Sequence, residues 1–127
     1  MENPYASDAL KGMRAVVCGA SKGIGRATAE MLAACGADVI GLSRSAPDIA
    51  GVRSMSLDLE DSDAISKTIS GILTAGPIHI LVNNAGGPPG GPLLDNEVED
   101  FEAPFKRHLH AAHQITQMVV PAMEEAG

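Results

Sequence analysis

Apolar runs and helical stripes alternate along the chain. Arg14-Ala-Val-Val-Cys18 is a short apolar run closed by glycine, which predicts a buried strand. Beyond a glycine-rich turn, Ile24, Ala27, Met31, Leu32 and Cys35 fall at helical spacing, and Gly36 stands where that helix would end. Ala37 to Leu42 predicts a second strand, and Arg53 to Leu57 a weaker third that alternates only in part. Asp61-Ser-Asp63 offers a cap for a second helix with Ile65, Thr68, Ile69, Ile72 and Leu73 on its apolar face, and Gly76-Pro77 ends it. Ile78 to Val82 reads as a fourth strand, apolar and therefore central. Val98, Phe101, Phe105, Leu109, Ala112, Ile115 and Val119 then recur at steps of three and four, the stripe of a long amphipathic helix within residues 97–125. Pro104 inside that stripe marks the true helix start or a kink, which would leave Val98 and Phe101 in a preceding turn.

Strands alternating with helices in this order imply right-handed crossovers and a parallel sheet. The expected fold is α/β, a Rossmann-type open parallel sheet with flanking helices, stopping after the fourth strand and its following helix. The link from Ser43 to Val52 carries Pro47 and Gly51 and is too short for a full helix. Residues 86–96 form the one glycine- and proline-rich loop, beginning Gly86-Gly-Pro-Pro-Gly-Gly-Pro92.

At 127 residues, the length suits one domain, 1–127. Aromatic residues are only 2%, so the core must be built from Ala, Val, Ile, Leu and Met, which suits close contact of helix and sheet. The net charge of −7 argues against non-specific nucleic-acid binding, which needs Lys and Arg to displace counterions. No apolar stretch approaches the roughly 18 residues that cross a bilayer. The N-terminal residues Met1 to Asp8 lack a basic region followed by an apolar run, so a cytoplasmic location is expected by default. Cys18 and Cys35 fit neither a disulfide framework nor a zinc pattern.

Gly19-Ala-Ser-Lys-Gly23-Ile-Gly25 lies between the first strand and the first helix, with Ser21 and Lys22 inside it. The spacing is G-x-x-x-G-x-G. Positions without side chains let the backbone approach a pyrophosphate, and the helix N-terminus supplies free N–H groups and a favourable dipole. With Asp58-Leu59 after the third strand and Asn83-Asn-Ala-Gly86 after the fourth, the sequence resembles the short-chain dehydrogenase/reductase family over nearly its whole length. The family usually has Thr where Cys18 stands.

The resemblance implies a nicotinamide dinucleotide as partner. Gly19, Gly23, Ile24 and Gly25 would line its pyrophosphate, Asp58 and Leu59 its adenine edge, and Asn84, Ala85 and Gly86 its adenosine ribose side. Asn83 would tie neighbouring strands together. The alternative for Asp58 is a helix-capping acid. A carboxylate at the end of the second strand would favour NAD(H); Ser43 followed by Arg44 stands there, and Lys22 lies within the turn. Two cations and no carboxylate favour NADP(H) over NAD(H), because Arg holds a phosphate through two parallel hydrogen bonds.

By the same resemblance, hydride transfer requires a Ser after a fifth strand and a Tyr-x-x-x-Lys on the next helix. This chain has one tyrosine, Tyr5, followed four residues later by Ala9. The expectation is the cofactor-binding half of an oxidoreductase, inactive alone. Alternatives are a catalytically dead nucleotide-binding regulatory protein and a subunit completed by a partner chain. Aligning Thr116-Gln117 and Pro121-Ala-Met123 puts His108 where the family usually has a catalytic Asn. His108, His110 and His113 fit a metal site poorly, as no two are four apart and steps of two or five point to different faces. A homo-oligomer is expected through the open edge of the fourth strand or the last helix, using Phe101, Phe105, Leu109, Ile115 and Val119.

Overall fold

A computed structural model describes residues 2–88 and 90–127. Met1 of the N-terminal segment and Pro89 of the glycine- and proline-rich loop lie outside the described residues. Strands β1 (Arg14–Cys18), β2 (Asp38–Ser43), β3 (Val52–Ser56) and β4 (Ile80–Val82) form one parallel sheet in the order β3-β2-β1-β4. It is the Rossmann-like α/β sheet that the element order predicts. The chain steps outward from β1 to β3, then returns to place β4 on the other flank of β1.

The fourth strand is thus an edge strand among the described residues, not the central one. Its three residues are only half-buried. An apolar run reports that helices cover both faces of a strand; it carries no information about lateral neighbours.

Helices α1 (Gly23–Ala34) and α2 (Ser62–Ala75) lie on opposite faces. Ala15 and Val17 of β1 face a core of small residues with Ala20, Ala29, Ala37 and Val39. The alternate residues Val16 and Cys18 face Ile40, Leu42, Ile65, Ile69, Ile72, Ile115 and Val119. The alternation of side chains along β1 therefore separates an alanine-rich layer from an isoleucine-rich one. On the α1 side the predicted face holds only towards the end of the helix, where Leu32 packs on this core and Cys35 is buried. Ile24 is 80% exposed and Ala27 is exposed, while Gly25 and Ala29 are buried. The sheet offers small side chains there, so the helix seats its own smallest side against them, a face that a search for large apolar residues overlooks. Cys35 caps this helix, and Gly36 follows with a φ of 91°.

The second helix follows its prediction. Asp61 Oδ1 accepts from the Ala64 N–H at 3.0 Å, and Ile65, Ile69 and Ile72 are buried. The 43–52 link contains no helix and passes Gly51 close to Ala33 of α1.

The last predicted helix is broken. Val98–Phe101 is a 3₁₀ turn, followed by the short α3 (Glu102–Phe105), a π-helical turn (Lys106–His110) and α4 (Ala111–Ala126). Pro104 sits in the first turn of α3, where its missing N–H costs no hydrogen bond. The wider π turn shifts the helical register, so the apolar stripe does not stay on one face. Phe105 and Leu109 are exposed, whereas Ala111, Ile115 and Val119 are buried against the sheet. Ile115 and Val119 are therefore core residues and drop out of the expected oligomer surface. Gln114 of α4 reaches α2, its Nε2 donating to Ser62 O at 2.9 Å and to Ser66 Oγ at 3.0 Å. No helix among the described residues is long and apolar enough to cross a membrane.

The amino-terminal edge of the sheet is closed by Arg14. Its Nη1 donates to Ile72 O at 2.7 Å and to Gly76 O at 2.9 Å, satisfying carbonyls at the end of α2. The Arg14 N–H donates to His79 Nδ1 at 2.9 Å, and the His79 N–H returns to Arg14 O at 2.8 Å.

Candidate functional site

The strand order reverses between β1 and β4, and open α/β sheets bind ligands outside the carboxyl ends of their strands at such a point. A cleft of about 550 Å³ opens there. Gly19, Ser21, Lys22, Gly23 and Ile24 form one side, and Ser43 with Arg44 the end of β2. Asp58 and Leu59 line it after β3, and Asn84, Ala85 and Gly86 after β4. Every residue expected to bind the cofactor is on this wall except Gly25; Asn83 and His108 also lie off it.

Gly25 is buried behind the turn, where a Cβ would drive into the Gly19 carbonyl oxygen. Gly23 has a φ of 57°, a left-handed conformation that side chains resist, and faces open space. Lys22 occupies the cap position of α1 in extended conformation with no side-chain cap. The first amide of α1 to find a helical acceptor is that of Arg26, on Lys22 O at 3.3 Å. The earlier amides are thereby left as donors at the positive end of the helix dipole, and no acidic residue stands in the first turn.

Ser43 is buried and its Oγ has no hydrogen-bond partner. Ser54 Oγ is likewise unpartnered, but only Ser43 lines the cleft. Lys22 and Arg44 are exposed and take part in no ion pair among the described residues. Asp58 does not cap α2, which Asp61 does. Its Oδ1 instead accepts from the Glu60 N–H at 2.9 Å in a local turn.

The strand-tying role expected of Asn83 falls to Asn84, which also lines the cleft. Asn84 Nδ2 donates to Gly19 O at 3.2 Å and Cys18 O at 3.4 Å, so Asn84 is the residue that ties β4 to β1. Asn83 donates to Thr116 Oγ1 at 3.2 Å and fastens the loop to α4. His108 Nε2 lies 3.0 Å from Gly86 O, a hydrogen bond when the proton is on Nε2. His108 borders a small side cavity of about 30 Å³ with Cys18 and Asn83. Burial pushes the Cys18 thiol up to about 12, so it stays neutral at ordinary pH.

Arg107 was not identified from the sequence, where it falls between stripe positions as an ordinary helical cation. It lines the cleft and donates to Gly86 O, Gly87 O and the Glu60 carboxylate. Only its pairing partners, distant in sequence, distinguish it.

An extended anionic ligand fits this cleft. Phosphate groups find free amides at the start of α1, and the outer end offers cations. The volume is also in the range of small-molecule and cofactor sites.

Comparison with known proteins agrees. The family model for short chain dehydrogenase matches residues 13–127, and the chain belongs to that family. It is 38% identical to L-xylulose reductase of Mesocricetus auratus and 36% to carbonyl reductase [NADPH] 2 of Sus scrofa. Each alignment covers 93% of this chain and 50% of the relative. A solved metagenomic short-chain oxidoreductase in complex with NADP superposes with a TM-score of 0.79 at 35% identity, covering 93% of this chain and 59% of that one. The chain spans about half the length of the curated relatives it matches.

Proposed function

We propose that this chain is the NADP(H)-binding half of a short-chain dehydrogenase-type oxidoreductase acting on a carbonyl/alcohol pair. The observation that carries the cofactor reading is the end of β2. There Ser43 has a buried, unpartnered hydroxyl, Arg44 is unpaired beside it, and Lys22 is unpaired across the turn. No carboxylate stands at this strand end to repel a 2′-phosphate. The name of the pig relative and the NADP complex of the metagenomic neighbour support the same choice.

In this reading the amides of Gly23, Ile24 and Gly25 hold the pyrophosphate. Asp58 and Leu59 border the adenine, and Asn84, Ala85 and Gly86 border its ribose. Arg44 and Lys22 take the 2′-phosphate. The bound nicotinamide supplies the hydride. No Tyr-x-x-x-Lys is present among these residues, so the proton donor for carbonyl reduction is absent from this part. Tyr5 cannot substitute. Its segment is fastened to the far end of α1, with Asn3 Nδ2 on Ala34 O at 3.3 Å and the Leu10 N–H on Cys35 O at 2.8 Å. The open edge of β4, with Phe105 and Leu109 exposed, supports association with further chain or a second copy.

A titration followed by the fluorescence of the reduced cofactor tests the reading, since the protein has no Trp. NADPH is expected to bind about tenfold or more tightly than NADH, the scale of one charge-assisted phosphate contact. Replacing both Lys22 and Arg44 by Ala should erase that difference. Equal affinities in the unaltered chain would overturn the cofactor assignment.

A further inference from the structure

The geometry points to Arg107 as the residue that holds the loop after β4 in its dinucleotide-receiving shape, an inference that rests on the reading above. Arg107 stands in the π-helical turn with 19% of its side chain exposed. Its three guanidinium nitrogens go to three acceptors. Nε donates to Gly86 O at 3.3 Å, Nη2 to Gly87 O at 3.2 Å, and Nη1 to Glu60 Oε2 at 3.2 Å. Gly86 and Gly87 line the cleft after β4; Glu60 directly follows Asp58 and Leu59, which line it after β3. One planar group thus ties two separate stretches of cleft wall to the last helical segment.

The loop has little else to hold it. Gly86 and Gly87 have no side chains, lie in open space and belong to no helix or strand. Asn84 pins the start of the loop to β1, but that anchor ends two residues short of the glycines. Beyond it, the carbonyl directions of Gly86 and Gly87 are set by Arg107, with His108 sharing Gly86 O. Arginine is suited to this position because its fork of donors reaches two successive carbonyls and a carboxylate at once; a lysine ammonium is a single point. Glu60 balances the charge and sets the plane of the fork. Arg107 is therefore a positioning residue. It acts by keeping the loop in one conformation before the ligand arrives, and apparent affinity scales with the fraction of molecules so arranged.

Arg107→Ala in the full 127-residue chain is expected to raise Kd for NADPH and for NADH by the same factor, about tenfold, a typical coupling between two sites. Arg107→Lys keeps the charge and should lose nearly as much. Glu60→Gln separates a clamp from a bare charge. If Glu60 orients the guanidinium, binding weakens by roughly two- to threefold, as for a modest ion pair. If Arg107 merely attracted phosphates, removing the neighbouring carboxylate would strengthen binding, and the proposal would fall. Unchanged affinity in Arg107→Ala would also overturn it. A readout without ligand keeps the clamp distinct from the cofactor reading. In both Arg107 variants the ¹⁵N order parameters of Gly86 and Gly87 should drop from about 0.85 towards 0.6, with β1 and β2 unchanged. If those values do not move, the clamp is wrong. If they move while the unaltered chain binds no dinucleotide, only the functional reading fails.

Discussion

At the amino-terminal end of the sheet, Arg14, Asp38, Arg53 and His79 border a depression of about 370 Å³. At the carboxyl end, Lys22, Ser43, Arg44, Asp58 and Arg107 border one of about 550 Å³. Both are polar and both contain cations. In the first, the polar groups answer one another: Arg14 bonds two carbonyls of the α2 terminus, Asp38 approaches Arg14 at 3.7 Å and Arg53 at 3.5 Å, and His79 receives the Arg14 amide. In the second, a buried hydroxyl, two cations and the amides opening α1 have no protein partner among the described residues. Satisfied polar groups hold a fold together, while unsatisfied ones at a concave surface are arranged for a ligand. Cation count and cavity size alone would not have separated the two ends.

Substitutions at each end should expose this difference. The largest effect is expected at Gly25→Ala, whose methyl would strike the Gly19 carbonyl and displace the turn that carries the free amides. NADPH affinity should fall about a hundredfold, or roughly 2.7 kcal/mol. Affinity within threefold of the unaltered chain would show that the turn is not the anchor. Next comes Arg14→Met, which strips the end of α2 and leaves the buried Ile72 carbonyl and the half-buried Gly76 carbonyl unanswered. A loss of about 3 kcal/mol in urea unfolding is expected, with the Kd for NADPH of the folded variant unchanged. A stability loss below 1 kcal/mol would mean that the amino-terminal network is decorative. The smallest effect is at Ser43→Ala. Removing a buried hydroxyl that has no partner should leave the ligand-free protein as stable, or more stable by up to about 1 kcal/mol, while NADPH binding weakens roughly threefold. Lower stability with unchanged binding would assign that hydroxyl a purely structural role.

What was legible in the sequence follows the range of the interactions involved. The first strand, the glycine turn, the Asp61 cap and the α2 face were readable because each depends on residues within a few positions. The α1 face was readable only at Leu32 and Cys35, because its first turns are seated by the alanine-rich side of the sheet opposite them. Likewise the stripe from Val98 to Val119 looked continuous, since periodicity cannot register a π turn that shifts the angle between Phe105 and Ala111. Asn84 was not read as the strand tie, a role expected of Asn83, because adjacent residues leaving a strand point to opposite sides. Arg107 carries no local mark at all; its acceptors lie 20, 21 and 47 residues away.

By itself, then, the sequence determined the order of elements, the parallel α/β class, the family and the set of residues gathered at the strand ends. These follow from local spacing, and a βα turn with three glycines permits few backbone paths. Tertiary structure alone decided that Asn84 rather than Asn83 joins β4 to β1, and that Arg107 spans the cleft wall. It also decided which polar groups were left without partners. Whether a side chain is satisfied depends on what the fold brings beside it, and no pattern along the chain encodes that neighbour.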